Sequence, residues 1–454
     1  MNNQPILDEN HNKRNAVLLI LLTTVAYALS CFGRKTYDAN INEIMSFFNV
    51  EKDVVGLAGT AFFIAYGIGQ VVHGLLCTKY NPKYSILIAL AFGGACNLAV
   101  GLLPASGFRF VKYIWLINGF SQAVLWSSTV LIFTRFIASE YSRLALLIMC
   151  FPTSVGFFIA YGLSALFSAI GNFKLIYYVS AFALFGICVV WLLSFEELSK
   201  RCLQAKLISD GRGAVNVASA ENSEKAEGAE NAEISQNAVN AASAEKPKKK
   251  NKLPAGFLFL FVVMSLLAII NNLVKDGLNT WSPTFLKERF GLENWTSVLL
   301  TLVMPLFAMF GNGLALFLNR KIKSLVLMSG VLYIVSAAAM GVFLVFFNKN
   351  VLVVALLCFA LTACLMAGVN NIVTAMFPME CKGGINAGLV AGLIDGCCYL
   401  GSALSSYGFG AIAESLDWRA VMTIIFAALA VAAASCAVCF FIENVIKKRK
   451  SDKY

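Results

Sequence analysis

Twelve apolar runs, each long enough to cross a bilayer, constrain this chain more than any other feature. An α-helix needs about 20 apolar residues to span the hydrocarbon core. Runs of that order cover 16 to 44, 54 to 76, 84 to 104, 110 to 137, 143 to 170 and 173 to 195. A second set covers 255 to 281, 295 to 318, 324 to 347, 351 to 377, 384 to 413 and 418 to 445. Lipid offers no partner for backbone N–H and C=O groups, so such runs fold as helices that satisfy themselves. The chain is 59% hydrophobic and 13% charged, against roughly 45–50% and 25% in soluble domains. That is not the balance of a water-soluble enzyme, and no enzymatic activity is expected.

Between the two sets the composition changes. The stretch containing GRGAVNVASAENSEKAEGAENAEISQNAVNAASAEKPKKKNK is rich in Ala, Glu, Asn, Ser and Lys and almost free of aromatics. It cannot bury enough surface to offset its ordering entropy. The expected organisation is an N-terminal six-helix bundle over 1–199, a disordered cytoplasmic linker over 200–252, and a C-terminal six-helix bundle over 253–454 with a basic tail. Six spans plus six, joined by a long linker, is the layout of the major facilitator fold, an all-α membrane protein of twelve transmembrane helices in two pseudo-symmetric halves, although twelve-helix layouts also occur in other transporter folds.

The formal charge of +11, from 36 Lys and Arg against 25 Asp and Glu, would suggest nucleic acid in a soluble protein. Here the placement of the cations decides. With the amino terminus inside, 25 of the 36 fall on one side of the membrane: Lys13 and Arg14 at the amino terminus, those of the linker and the tail, and Lys79, Lys83, Arg135, Arg143, Arg320, Lys321, Lys323 and Lys382 in loops. The positive-inside bias therefore predicts a multi-pass cell-membrane protein with both termini cytoplasmic, lipid around it and no nucleic-acid partner. The first apolar run lacks a small-residue cleavage end and reads as a retained span. Cysteines lie mostly inside apolar runs without metal-ligand spacing, only two histidines exist, and no GxxxxGKS-type loop is present. No cofactor is expected, and any flux is driven by a gradient.

Against this background the ionisable residues inside spans stand out. Span 1 runs apolar from Ala16 to Gly33 and then carries Arg34 and Lys35; span 7 runs apolar from Gly256 to Val274 and then carries Lys275 and Asp276. Taken singly, each cation reads equally well as a snorkelling residue at the interface. Their matched depth in the two halves points instead to an anion site, Arg34 offering bidentate donors and Lys275 a point charge.

Helical spacing collects polar and aromatic neighbours onto shared faces. These are Tyr27, Ser30, Arg34 and Tyr37; Asn272, Lys275 and Asn279; Tyr66, Gln70 and His73; Asn118, Gln122, Trp126 and Thr129; and Asp395, Tyr399, Ser402 and Ser406. Each has an ordinary alternative: Asn118 and Gln122 as glue between helices, Trp126 as packing, His73 bonded to a carbonyl. Asp395 serves either as a proton site or as the counter-ion of Lys275 or His73. Gly384, Gly388, Gly392 and Gly396 form a stripe expected to let another backbone approach.

Four stretches carry a family resemblance that spans most of the chain. GRKTYDANI, AYGIGQVVHG followed by NPK, WLINGFSQAVLW and LVKDGLNTWSPTFL resemble the first-, second-, fourth- and seventh-helix motifs of the organophosphate:phosphate antiporter family of major facilitators. LIDGCCYLGSAL is similar to its eleventh. That family includes bacterial glycerol-3-phosphate and hexose-6-phosphate transporters and the endoplasmic-reticulum glucose-6-phosphate translocase. The resemblance implies that Arg34 and Lys275 bind substrate phosphate and that Tyr66 lines the cavity, with Asn118, Gly119, Gln122 and Trp126 in register.

The departures are specific. Gln70 stands where the family usually has a lysine, so one cation of the phosphate site is missing unless His73 or Lys35 replaces it. The fifth-helix histidine is absent around Pro152, Thr153 and Ser154, Lys275 replaces the more usual arginine, and Thr78 and Asn319 replace acidic gate residues. The expected function is secondary transport of a sugar phosphate, glycerol phosphate or related organic anion in exchange for inorganic phosphate, by a monomer. Arg34, Lys275, Tyr27, Tyr37, Tyr66, Gln70, Asn118, Gln122, Trp126, Asn272 and Tyr399 are expected at the substrate, and Lys35, His73, Asp276 and Asp395 in coupling or gating. Two alternatives stay open: proton-coupled transport of an organic anion through His73 or Asp395, and a non-transporting sugar-phosphate sensor.

Overall fold

The computed structural model describes residues 9–76, 79–149, 151–209, 255–379 and 387–451. Among these residues there are helices and no strands. The N-terminal half comprises α1 (Glu9–Ala39), α2 (Ile41–Phe48), α3 (Lys52–Leu76), α4 (Pro82–Leu102), α5 (Phe108–Gln122), α6 (Val124–Phe136), α7 (Ser139–Ile148), α8 (Pro152–Ala169) and α9 (Leu175–Ser209). The C-terminal half comprises α10 (Ala255–Phe290), α11 (Asn294–Thr301), α12 (Val303–Lys321), α13 (Leu325–Phe346), α14 (Leu352–Asn371), α15 (Phe377–Met379), α16 (Ala387–Ser415) and α17 (Trp418–Ser451).

Eleven helical segments in the described residues are long and apolar enough to cross a membrane. The twelfth is α16, whose 29 residues reach about 43 Å at 1.5 Å per residue but carry Asp395 and a run of serines. The predicted spans are thus recovered. Their boundaries differ where local chemistry intervenes: span 1 bends at Asn40 into α2, and span 4 is briefly interrupted at Ala123 between α5 and α6. Span 10 passes through a π-helical turn at Ile372–Met376. The sixth span continues to Ser209, so residues 200–209, expected in the linker, are helical. The rest of the linker, together with Thr78 and Lys382, lies outside the described residues.

Starts and stops follow elementary rules. Pro82 and Pro152 occupy the first turns of α4 and α8, where no N–H is needed, and Asn81 caps α4 by accepting from the Lys83 N–H at 3.0 Å. Gly171 and Gly291, at φ of 75° and 64°, end α8 and α10 in the left-handed region that glycine enters without cost.

The halves meet chiefly along α3 and α16, which run antiparallel. The Ser406 hydroxyl donates to the Gly56 carbonyl at 3.0 Å and Thr60 to that of Ala403 at 2.8 Å. Gly67 abuts Tyr399, and Gly56 leaves no room for a side chain beside the Ser406 carbonyl. At the end where α1 finishes the joint is polar. Lys52 bridges Glu414 at 3.0 Å and Glu288 at 3.2 Å, and Asn294 donates to Glu43 at 2.9 Å. Tyr161 donates to the Asn279 carbonyl at 2.9 Å.

In the glycine stripe expected to create the close approach, the two members whose surroundings are described do not provide it: Gly392 faces open space and Gly396 meets only Val71, while Gly384 is outside the described residues. The tight contacts of α16 come from Gly401, against the backbone of α10 at Ile269 and Leu273, and from Gly410, against Lys52 and Trp281. Close packing is set by where the helices cross, and α16 crosses α10 nearer its far end.

A leucine at Gly56 is therefore expected to destabilise the detergent-solubilised protein by about 1–3 kcal/mol through overpacking, lowering its apparent melting temperature. Alanine at Gly392, which has space and sits in a helix, is expected to leave it unchanged or raise it.

Candidate functional site

Between the halves, at mid-depth, α1, α3, α10 and α16 bring ionisable and aromatic side chains together. Arg34 leaves α1 partly buried and donates to the Tyr66 hydroxyl at 2.9 Å and to Cys31 Sγ at 2.7 Å. Its guanidinium lies 5.6 Å from the Tyr27 ring centroid and 5.3 Å from that of Tyr66, within cation–π range. Tyr66 also accepts from Gln70 at 3.4 Å and packs on Tyr399 of α16 with ring centroids 4.5 Å apart. Tyr66 and Tyr399 lie about 15–25 Å from either end of their helices, at 1.5 Å per residue. Arg34 has no ion-pair partner among the described residues.

The other cations are compensated. Lys35 pairs with Asp38 at 2.6 Å, one helical turn on, over the Phe157 ring, and Asp276 acts on it from the other half. Lys275 lies 4.0 Å from Asp276 and donates to Asn370 at 3.4 Å, and its charge reaches Asp395. Asp276 accepts from Ser402 at 2.5 Å, and Ser402 accepts from Asn272 at 3.4 Å. Arg34, Lys35 and Lys275 thus face Asp38, Asp276 and Asp395, a formal balance of zero. An uncompensated charge at this depth costs far more than one in water, so the neutrality has an evident physical reason.

The structure turns several expected residues elsewhere. Tyr37 is buried in the aromatic core of the N-terminal half, donating to the Val55 carbonyl at 2.8 Å with its ring 5.2 Å from Trp115. Three residues on, Tyr37 is rotated about 60° from Arg34 around α1, and its ring turns to the core side of that face. Gln122 is the glue of its alternative reading: it accepts from Ser30 and donates to the Ala89 carbonyl at 3.2 Å, tying α5 to α1 and α4. Asn118 is fully buried, and its amide atoms have no hydrogen-bond partner among the described residues. His73 packs on Phe120 at 5.2 Å and lines an outward groove of about 560 Å³ with Tyr80, Asn81 and Tyr84. Trp126 joins the site indirectly, edge-on to Tyr27 at 5.9 Å.

Two residues were not anticipated. Asp38 sits three residues after Lys35, a spacing that pairs charges on one helix face. Asn370 belongs to an Asn-Asn pair interrupting the otherwise apolar span 10, an anomaly of the kind that marks intramembrane function.

The chain belongs to the Major Facilitator Superfamily. The model of that family matches residues 23–405. A bacterial homologue of the human lysosomal transporter Spinster, in an inward-facing and occupied conformation, superposes with a TM-score of 0.68 at 14% identity, covering 93% of this chain and 96% of that one. A D-xylose–proton symporter gives 0.68 at 13% identity, covering 92% and 96%. At such identities the likeness concerns fold alone. By sequence, the membrane sensor protein UhpC of Escherichia coli is 32% identical over 125 residues, 27% of either chain. A probable hexose phosphate transport protein of Chlamydia trachomatis is 28% identical over 102 residues, 22% of either chain. The glycerol-3-phosphate transporter of Haemophilus influenzae is 26% identical over 102 residues, 22% of this chain and 21% of that one. The matched stretches span about a quarter of these relatives' lengths. Their names bear out the resemblance to organophosphate transporters, and fold and relatives alike are those of transporters, not enzymes.

The local charge balance predicts a definite cost. Asp38→Ala leaves Lys35 without its closest counter-charge and is expected to destabilise the protein by about 3–5 kcal/mol. The double variant Lys35→Met/Asp38→Leu is expected to recover most of that loss in a thermal unfolding series in detergent.

Proposed function

We propose that this transporter exchanges a phosphorylated metabolite, a sugar or glycerol phosphate or a related organic anion, for inorganic phosphate by alternating access. The observation that carries the reading is Arg34: a partly buried guanidinium at mid-depth between the halves, free of carboxylate partners among the described residues and framed by Tyr27, Tyr66 and Tyr399. A planar fork of donors in a low-dielectric cleft is suited to a phosphate. Lys275, Asn272 and Asn370 supply further donors from the other half, and Gln70 reaches the same tyrosine hydroxyl from α3. The names of the hexose-phosphate and glycerol-phosphate relatives support the same chemistry.

With both termini cytoplasmic in the cell membrane, the end joined by Lys52, Glu288 and Glu414 is the outer one. Exchange then requires this joint to part only when an anion is bound, which makes the reaction an obligatory swap. The protein acts as a monomer surrounded by lipid, and the substrate path runs between the two bundles.

A second reading has a specific observation in its favour: UhpC, a relative by sequence, is named a membrane sensor. A sensor binds its phosphate ester in the same cleft without net flux.

Reconstituted liposomes separate these readings. Phosphate-loaded vesicles are expected to take up labelled phosphate by counterflow, with Arg34→Ala abolishing it and Arg34→Lys reducing it about 10- to 100-fold, the scale of losing a charge-assisted hydrogen bond. Binding without counterflow identifies a sensor. Uptake driven only by external acid identifies proton coupling, and normal counterflow by Arg34→Ala sinks the phosphate site.

A further inference from the structure

The six charges at the centre of the molecule divide unevenly. Lys35 is held by Asp38 at 2.6 Å and Lys275 faces Asp276 at 4.0 Å. That leaves one cation, Arg34, and one carboxylate, Asp395, with neither an ion pair within 4.0 Å nor a hydrogen bond to a carboxylate or cation among the described residues; Lys275, already beside Asp276, acts on Asp395 only from beyond that distance. The two belong to different halves. They are joined by a continuous aromatic wall: Arg34 donates to Tyr66 at 2.9 Å, Tyr66 stacks on Tyr399 at 4.5 Å, and Tyr399 lies one helical turn after Asp395 on the same face of α16. Both ionic groups act electrostatically on Tyr399.

A ligand offering only an anion matches half of this arrangement. It neutralises Arg34 and leaves the Asp395 carboxylate in a cleft from which water is partly excluded, where an unmatched charge is costly. A ligand with a phosphate at one end and an ammonium at the other matches both groups and carries about one negative charge fewer into the cluster than a plain phosphate ester does. We infer that the preferred substrate is an amine-bearing phosphate ester, its phosphate on Arg34 and its ammonium on Asp395, spanning the Tyr66–Tyr399 wall. The inference rests on the proposed phosphate site and gives Asp395 a role in recognising substrate in place of proton transfer or gating. It also accounts for Gln70: a second cation on α3 next to Tyr66 would raise affinity for a simple dianion but disturb a balanced cleft.

The test is calorimetric titration of the purified full-length protein with matched pairs: 2-aminoethyl phosphate against 2-hydroxyethyl phosphate, and glucosamine 6-phosphate against glucose 6-phosphate. In at least one pair the amine is expected to bind about tenfold more tightly, the scale of a hydrogen bond between charged groups. Asp395→Asn is expected to bring that ratio within about twofold, and Asp395→Glu to retain most of it. The ratio is read within one variant, so it does not depend on how much folded protein each yields, and the wild-type comparison decides even if Asp395→Asn does not fold. Equal binding within both pairs, or a preference that survives Asp395→Asn, overturns the inference. So does tighter binding of the hydroxyl ester that strengthens in acid, the signature of a proton on Asp395. Amine preference that depends on Asp395, together with absent phosphate counterflow, removes the exchange reading alone and leaves this assignment standing.

Discussion

Charge compensation inside a low-dielectric slab is the constraint on which the rest of this molecule depends. An ionised side chain at mid-membrane is tolerable only when paired, hydrogen-bonded or exposed to a wet cleft. Lys35 pairs with Asp38 and Lys275 with Asp276, and with Arg34 and Asp395 added the group sums to zero without any ion being supplied from outside. The pairing fixes more than charge. Because Asp276 accepts from Ser402 on α16, the polar cluster also ties α10 to α16.

Around this centre the packing follows a division of labour. Each half has its own aromatic core: Tyr37, Trp115 and Tyr177 in one, Phe285 with Phe343, Phe359 and Trp418 in the other. These make each bundle a stiff body, since close-packed interiors transmit strain rather than absorb it. The joint between the bodies is built differently, from glycines, serine hydroxyls and backbone carbonyls along α3 and α16. Lipid tails are as apolar as leucine and give no hydrophobic drive to part or join helices, so small residues and hydrogen bonds decide which helices stay together. Rigid halves with a polar, small-residue seam are what a rocking motion requires.

Much of this was legible in the sequence, for a reason particular to membrane proteins. The bilayer forces backbone satisfaction within each span, so run length and hydropathy predict helices directly, and the rarity of charge makes Arg34, Lys275 and Asp395 conspicuous. What the sequence did not reveal was direction. Tyr37 and Gln122 share a spacing with cavity residues, yet 3.6-residue periodicity specifies a face only to within tens of degrees. Tyr37 rotates into the core and Gln122 between helices. Gly392 and Gly396 failed likewise, because close approach depends on where two helices cross, a property of the assembled bundle. Compensation was half visible: Lys35 and Asp38 are neighbours in sequence, whereas Asp276 and Ser402 meet only after 126 residues have folded.

A balanced cleft bears on how transport is coupled. If the site carried a large net positive charge, the empty carrier would resist closing around it, since burial of unmatched cations opposes the occluded state, and a bound anion would relieve that resistance. Here most of the relief is built in: the carboxylates already serve as internal counter-ions, and Arg34 and Asp395 are the two groups whose desolvation remains unmatched. On the proposed alternating-access reading, occlusion of the empty carrier would be opposed, among the described residues, by those two groups, one in each half. A ligand that satisfies only one of them lowers the barrier by part of its height. One that reaches both removes the whole electrostatic objection to closure, and it does so by bridging the two bodies that must move. On the proposed reading, selectivity and coupling would arise from the same pair of contacts: the substrate that fits would be the one that permits the seam at Lys52, Glu288 and Glu414 to part.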